Sequence, residues 1–177
     1  MTTRFVLRAA TQDIHRDLDN RLSILDLADK LDYRRFLRFH ARTLPSIEAA
    51  LAAAGVGELV DGWSQGRRSG LVEADLAALG EDMPPAARAP AVAGTAQALG
   101  MAYVLEGSRL GGRVLKQRVA SGLPASFLTG DGSLGPWPAL VSAIERFLDS
   151  ELLVGEAKDA ARRCFTWFLD VAREAGF

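Results

Sequence analysis

Three glycines, Gly107, Gly111 and Gly112, fall within six residues of a run that otherwise reads as helix, Tyr103-Val-Leu-Glu-Gly-Ser-Arg-Leu-Gly-Gly-Arg-Val-Leu. Each glycine costs a helix interior roughly 1 kcal/mol against alanine. A fold that keeps all three gains from bare backbone, through close approach of a flat ligand or of another helix. The cluster also permits a bend in the helix, since bends need a local cause. Tight helix–helix contact is the plainer use of the same residues.

The surrounding chain reads as all-α. Its β-branched residues are scattered and show no period-two alternation, whereas apolar residues recur at helical spacing. The expected helices run over about 3–21, 33–54, 71–79, 91–121, 138–150 and 155–175. Leu7, Ala10, Ile14 and Leu18 form the first apolar stripe. One of Asp26, Asp29 and Asp32 caps the second helix, Gly55 stops it, and Pro45 is expected to kink it near Thr43. Residues 55–70 read as a weakly structured connector. Segments 80–90 and 123–136 read as loops, and Pro138 suits the first turn of a helix. In the last helix Phe165, Phe168 and Val171 face inward.

The length of 177 residues fits one domain spanning 1–177. A net charge of −1 argues against a general nucleic-acid binder. The lone Cys164 excludes an internal disulfide framework and fits a reducing compartment. The N-terminus lacks a signal-peptide core, and no apolar run reaches the roughly 18 residues of a membrane span. The expectation is a cytoplasmic domain with no membrane partner.

His15 is the candidate ligand. It stands mid-helix with Asp19 four residues on, one turn along the same face. A carboxylate there accepts one ring N–H, fixes the tautomer and strengthens the other nitrogen as a donor to a metal. Arg8 lies two turns earlier, roughly 10 Å away along the axis. That spacing suits an iron at the centre of a porphyrin and a carboxylate at its rim, so haem is the suggested ligand. A structural or solvated histidine and a surface ion pair are the plainer readings.

Opposite it, Gly107 and Gly111 share a helix face, with Tyr103 one turn before; Ser108 and Tyr103 are the nearest hydroxyls. A basic run, Arg34, Arg35, Arg38 and Arg42, with Arg113, Lys116 and Arg118 further on, reads either as solvated helix faces or as a docking surface for an acidic electron-transfer partner. His40, within this run, reads as structural or exposed. There is no zinc pattern, no phosphate loop and no hydrolase triad.

Thr11-Gln-Asp-Ile-His15-Arg-Asp-Leu-Asp19 resembles the proximal-helix motif of haem oxygenases, and the Tyr103–Gly112 run resembles their kinked distal helix. The similarity is greatest to the bacterial branch associated with phytochromes and extends from about residue 8 to residue 168. It implies a compact all-α fold with haem b held between the first helix and the distal helix. His15 is then the axial iron ligand, Asp19 its partner and Arg8 the partner of a haem propionate. Gly107, Gly111 and Gly112 belong to the distal face, with Ser108 and the first two glycines in the catalytic region. The implied reaction is cleavage of haem by O2 to biliverdin, iron and carbon monoxide. Electrons come from a reductase or ferredoxin, and a bacterial phytochrome is the implied recipient of biliverdin.

Two departures stand out. Many family members have an aspartate directly after the first distal glycine, where this chain has Ser108. A serine can hold a water but is not the same acid, so the distal network is anchored elsewhere, or oxygen activation is weaker, or the protein binds or transfers haem without turnover. A C-terminal basic residue for the second propionate has no clear counterpart. Ser142 and Arg146 lie in that region, and the role is carried over to neither.

Overall fold

A helix needs its first N–H groups satisfied, and in this chain distant carboxylates often do it. In the computed structural model, which describes residues 2–130 and 135–177, α1 (Thr3–Leu22) begins at Thr2 without a side-chain cap of its own. Glu145 reaches across instead, its carboxylate accepting the Thr3 and Arg4 amides at 3.2 and 3.1 Å. Negative charge at that end also suits the helix dipole.

Helix α2 (Lys30–Ala53) caps itself: Asp29 Oδ1 accepts from the Leu31 and Asp32 amides at 2.9 and 3.0 Å. Such a cap contributes about 1 kcal/mol. Pro45 sits inside α2 without ending it. Proline cannot donate to the preceding turn, and in that turn the Arg42 carbonyl accepts the Ala87 amide of a neighbouring loop at 2.7 Å. Gly55, with φ +79°, ends the helix as expected.

The stretch expected as a connector is more ordered than its composition suggests. It holds a short α3 (Val56–Leu59) and a 3-10 turn at Ser64–Gly66 before α4 (Ser69–Ala78). The buried Glu48 of α2 accepts the Arg68 and Ser69 amides at the start of α4, at 2.6 and 3.3 Å. Buried Asp75 of α4 then accepts the Ser126 and Phe127 amides at the start of α6 (Ser126–Thr129). Tyr33 donates to the Pro124 carbonyl at 2.8 Å and steadies the same loop.

Helix α5 spans Gly94–Lys116 and carries all three glycines within one helix. Its other faces bury Leu99, Met101, Ala102, Val104 and Leu105, which offsets the glycine penalty. Helix α7 (Trp137–Phe147) carries Pro138 in its first turn, as expected. The last, α8 (Glu151–Glu174), is capped by Ser150 and starts earlier than the expected residue 155. Part of the expected loop 123–136, residues 131–134, lies outside the described residues.

Helix α8 is the common neighbour of α1 and α5, and α7 also packs on both. The α5–α8 crossing depends on a glycine that the sequence reading passes over. A Cβ on Gly100 would overlap the backbone of Ala157, whose neighbours Ala160 and Ala161 are also buried. Aromatic residues of α2 and α8 fill the centre, with Phe39 and Phe168 ring centroids 6.2 Å apart. All described residues in regular structure are helical, in agreement with the all-α expectation.

Candidate functional site

Leu7, Thr11 and Leu18 turn one side of α1 into the core and leave the flank bearing Arg8, His15 and Asp19 outward. The His15 side chain is 55% exposed. It is held from two directions, by the Phe165 ring of α8 at 5.2 Å between centroids and by Asp19 Oδ2, 3.5 Å from Nε2. The other ring nitrogen has no protein partner among the described residues. A solvent-facing imidazole, oriented by an aromatic ring and a carboxylate, is ready to donate to a metal.

Among the described residues no group of three or more His, Cys, Asp and Glu side chains stands together. A bare ion therefore finds no multi-ligand protein site here. A single oriented imidazole suits a metal that brings its own equatorial ligands.

Helix α5 supplies the second surface. A Cβ added at Gly107 or Gly111 would meet nothing within 4 Å, so these glycines are not required by any packed neighbour. Beside them Leu110 is 36% and Val114 66% exposed. The result is a bare, apolar strip on the exposed second half of a helix whose first half is mostly buried. Gly112 differs from its two neighbours: it is buried, and its added Cβ would lie 3.5 Å from the Leu128 side chain. It serves contact with α6 and does not belong to the open strip.

Tyr103 links the two surfaces. Its ring lies 5.7 Å from Trp137 of α7, and burial raises its phenol pKa while the nearby charges of Arg8 and Arg4 oppose that rise. Arg8 and Arg4, whose charges reach Tyr103, lie on the flank of α1 that carries His15. An apolar disc with a central metal and acidic edge groups matches this set: a donor nitrogen, a bare apolar strip, and basic and phenolic groups for the rim. Haem fits these residues.

Ser108, exposed beside Gly107, has its hydroxyl committed within the protein. Its hydroxyl donates to the Leu105 carbonyl and accepts from Arg68 Nη2, both at 2.7 Å. His40, expected to be structural or exposed, is largely enclosed by aromatic rings, with Phe36 at 4.6 Å and Phe127 at 4.7 Å. Burial first, and the Arg68 charge second, push its pKa down to about 3, so it is neutral at physiological pH.

The basic run is not a free cationic surface. Arg34 and Arg38 pair with Glu81, Arg35 with Asp32, and Arg42 with Glu174, while Arg118 donates to the Leu25 carbonyl. A groove of about 570 Å³ lies elsewhere, between the start of α1 and the α7–α8 junction. It gathers no histidine or aromatic side chain.

No family model matches the chain. A curated relative from Xanthomonas campestris pv. campestris (strain 8004), named heme oxygenase, is 31% identical over 142 residues, covering 77% of this chain and 86% of the relative. Among solved structures, the NO- and CO-bound heme oxygenase from Neisseria meningitidis superposes with a TM-score of 0.82. That match covers 99% of this chain and 92% of the other at 23% identity, and it shows the fold.

Proposed function

The chain belongs to the haem oxygenase family, and we propose that it binds one haem between α1 and α5 and cleaves it with O2 to biliverdin, ferrous iron and carbon monoxide. The observation that carries this reading is the pairing of a lone oriented imidazole with a helix strip kept bare by Gly107 and Gly111. Haem is the substrate and supplies the difficult chemistry itself, since its iron activates oxygen and its macrocycle is what is oxidised.

The protein's tasks follow from its own residues. His15 holds the iron from one side, and Asp19 fixes the ring and raises its donor strength. Arg8 and Tyr103 meet the acidic rim, where a guanidinium suits a carboxylate. On the other side, Gly107 and Gly111 let backbone approach the macrocycle without side chains between, and Leu110 and Val114 exclude water from its edge. Gly112 acts one layer back, through α6, and Ser108 acts through its hydrogen bond with Arg68.

Electrons come from an external donor, a reductase or ferredoxin in keeping with the family. A bacterial phytochrome is the proposed recipient of the biliverdin. Because the four α2 arginines share three carboxylates, the donor meets a surface of mostly compensated charge there. No described helix is long and apolar enough to cross a membrane, and the proposed setting is the cytoplasm.

The test is a haem titration of the purified protein and of His15→Ala, followed by absorbance. A one-to-one complex with a sharp Soret band that the variant fails to form supports the reading. An identical Soret complex in the variant would remove His15 as the ligand.

A further inference from the structure

Behind the bare strip of α5 lies a cluster of charges that the reading above does not use. Arg68 is 3% exposed, Glu106 2% and Glu48 2%, with the Arg109 side chain mostly covered beside them. Buried charges are costly unless paired, and removing one partner is more costly still. Here Arg109 pairs with Glu106 and Arg67 with Glu48, while the Arg68 guanidinium is held by neutral oxygens. Arg109 bridges to Glu106 at 2.8 Å and donates onward to the Gly66 carbonyl, while Glu48 accepts the Arg68 backbone amide. Arg68 Nη2 donates at 2.8 Å to the Leu105 carbonyl and at 2.7 Å to Ser108 Oγ. The Arg68 ring-face contact with Phe127, 5.5 Å to the centroid, fixes the guanidinium from the other side. Burial lowers the Arg68 pKa to about 10, which leaves it cationic at neutral pH.

We propose that Arg68, anchored on Ser108 and the Leu105 carbonyl, is a positioning residue that sets the backbone of the Gly107–Gly111 strip and places a fixed positive charge behind it. The argument is geometric. Leu105 and Ser108 flank Gly107, the residue with least intrinsic preference for helix. The Leu105 carbonyl receives two side-chain donors, Ser108 Oγ at 2.7 Å and Arg68 Nη2 at 2.8 Å. The local back-bond from Ser108 by itself loosens a helical turn unless something holds it. Arg68 holds this turn from α4, and Glu48 holds Arg68 from α2. The turn is therefore registered by three helices rather than by its own sequence. Position 108 acts as the socket of a cation, and its hydroxyl proton is committed to Leu105. Lysine cannot replace this function, because an ammonium lacks the planar fork and stacks less well on Phe127.

This inference rests on the haem reading for its purpose, but its first test does not need haem. Amide hydrogen exchange is measured on the haem-free protein for wild type, Ser108→Ala, Ser108→Thr and Arg68→Lys. Ser108→Ala should speed exchange over residues 105–109 roughly tenfold, the loss expected for one hydrogen bond to a charged group, and Ser108→Thr should restore it. Arg68→Lys should give at least the Ser108→Ala effect if it folds, and the serine variants decide the matter if it does not. The second readout is the carbon–oxygen stretching frequency of carbon monoxide on the reduced, haem-loaded protein. It should shift in Ser108→Ala and return in Ser108→Thr. Unchanged exchange and an unchanged stretch in Ser108→Ala, with the Soret complex intact, would overturn the positioning role while leaving haem binding standing. Ser108→Asp should pair with Arg68 and slow exchange. Faster haem turnover in that variant with no change in exchange would instead assign position 108 a direct acid role and overturn the proposal.

Discussion

The two helices proposed to enclose the ligand are built on opposite principles. The outward flank of α1 is exposed and held by local means: His15 by Asp19 one turn away, the helix by Leu7 and Leu18 against α8. The strip of α5 is bare in front and ionic behind, registered by Arg68, Glu48, Glu106 and Arg109. A ligating imidazole needs orientation, which a neighbouring carboxylate and one ring supply. A glycine-rich face has no side chains with which to hold its own shape, so the support must come from outside the helix. Where a protein removes side chains to admit a ligand, the residues that define the site lie in the layer behind it.

The comparison can be broken most severely at His15. His15→Ala should abolish the proximal-histidine spectrum of the ferric haem complex. It should weaken haem binding by more than the roughly 10–100-fold expected when only an outer partner is lost. Circular dichroism of the variant should stay native, because the side chain is 55% exposed.

The glycines sharpen the contrast between packing and access. Gly100→Ala forces a Cβ into Ala157 and should destabilise the protein by roughly 1–3 kcal/mol in urea unfolding. Gly107→Ala meets nothing within 4 Å and should stabilise the haem-free protein by about 0.5–1 kcal/mol, while lowering haem affinity. A Gly107→Ala variant that lost stability would show that this face is packed rather than open.

Asp19→Asn comes next. It keeps the shape but removes the charge that raises imidazole donor strength, and haem affinity should fall roughly 10–100-fold. The smallest expected effect is a slope. His40 titrates at about 3 in the fold against 6.5 when free, so between those values the unfolded chain binds the extra proton. Stability is therefore fully present above about pH 6.5 and declines as pH falls toward 3. His40→Gln should flatten the loss between pH 7 and pH 5 in denaturant midpoints.

What the sequence discloses follows the range of the interactions. His15, Asp19 and Arg8 are legible because they share one helix face, and the Asp29 cap and the Gly55 stop are legible for the same local reason. Helices α1, α4 and α6 begin without a cap of their own, and their partners lie far away in sequence: Glu145 at 142 residues, Glu48 at 20 and Asp75 at 51. Nothing in the amino-acid order marks these pairings. Arg68 falls in a segment whose composition reads as a weak connector, so its burial and its grip on Ser108 emerge only once α4 meets α5. The three clustered glycines invite one common explanation, yet Gly107 and Gly111 are open and Gly112 is packed. Gly100 carries the tightest contact without any motif to announce it.

The most direct test of the central claim is a single-turnover experiment. Haem is loaded to one equivalent, a reductase or ascorbate is added under air, and the absorbance is followed. The account predicts a Soret band that decays as a biliverdin band grows, with carbon monoxide released. A Soret complex that persists unchanged under reductant and oxygen would contradict it and leave a haem binder without turnover.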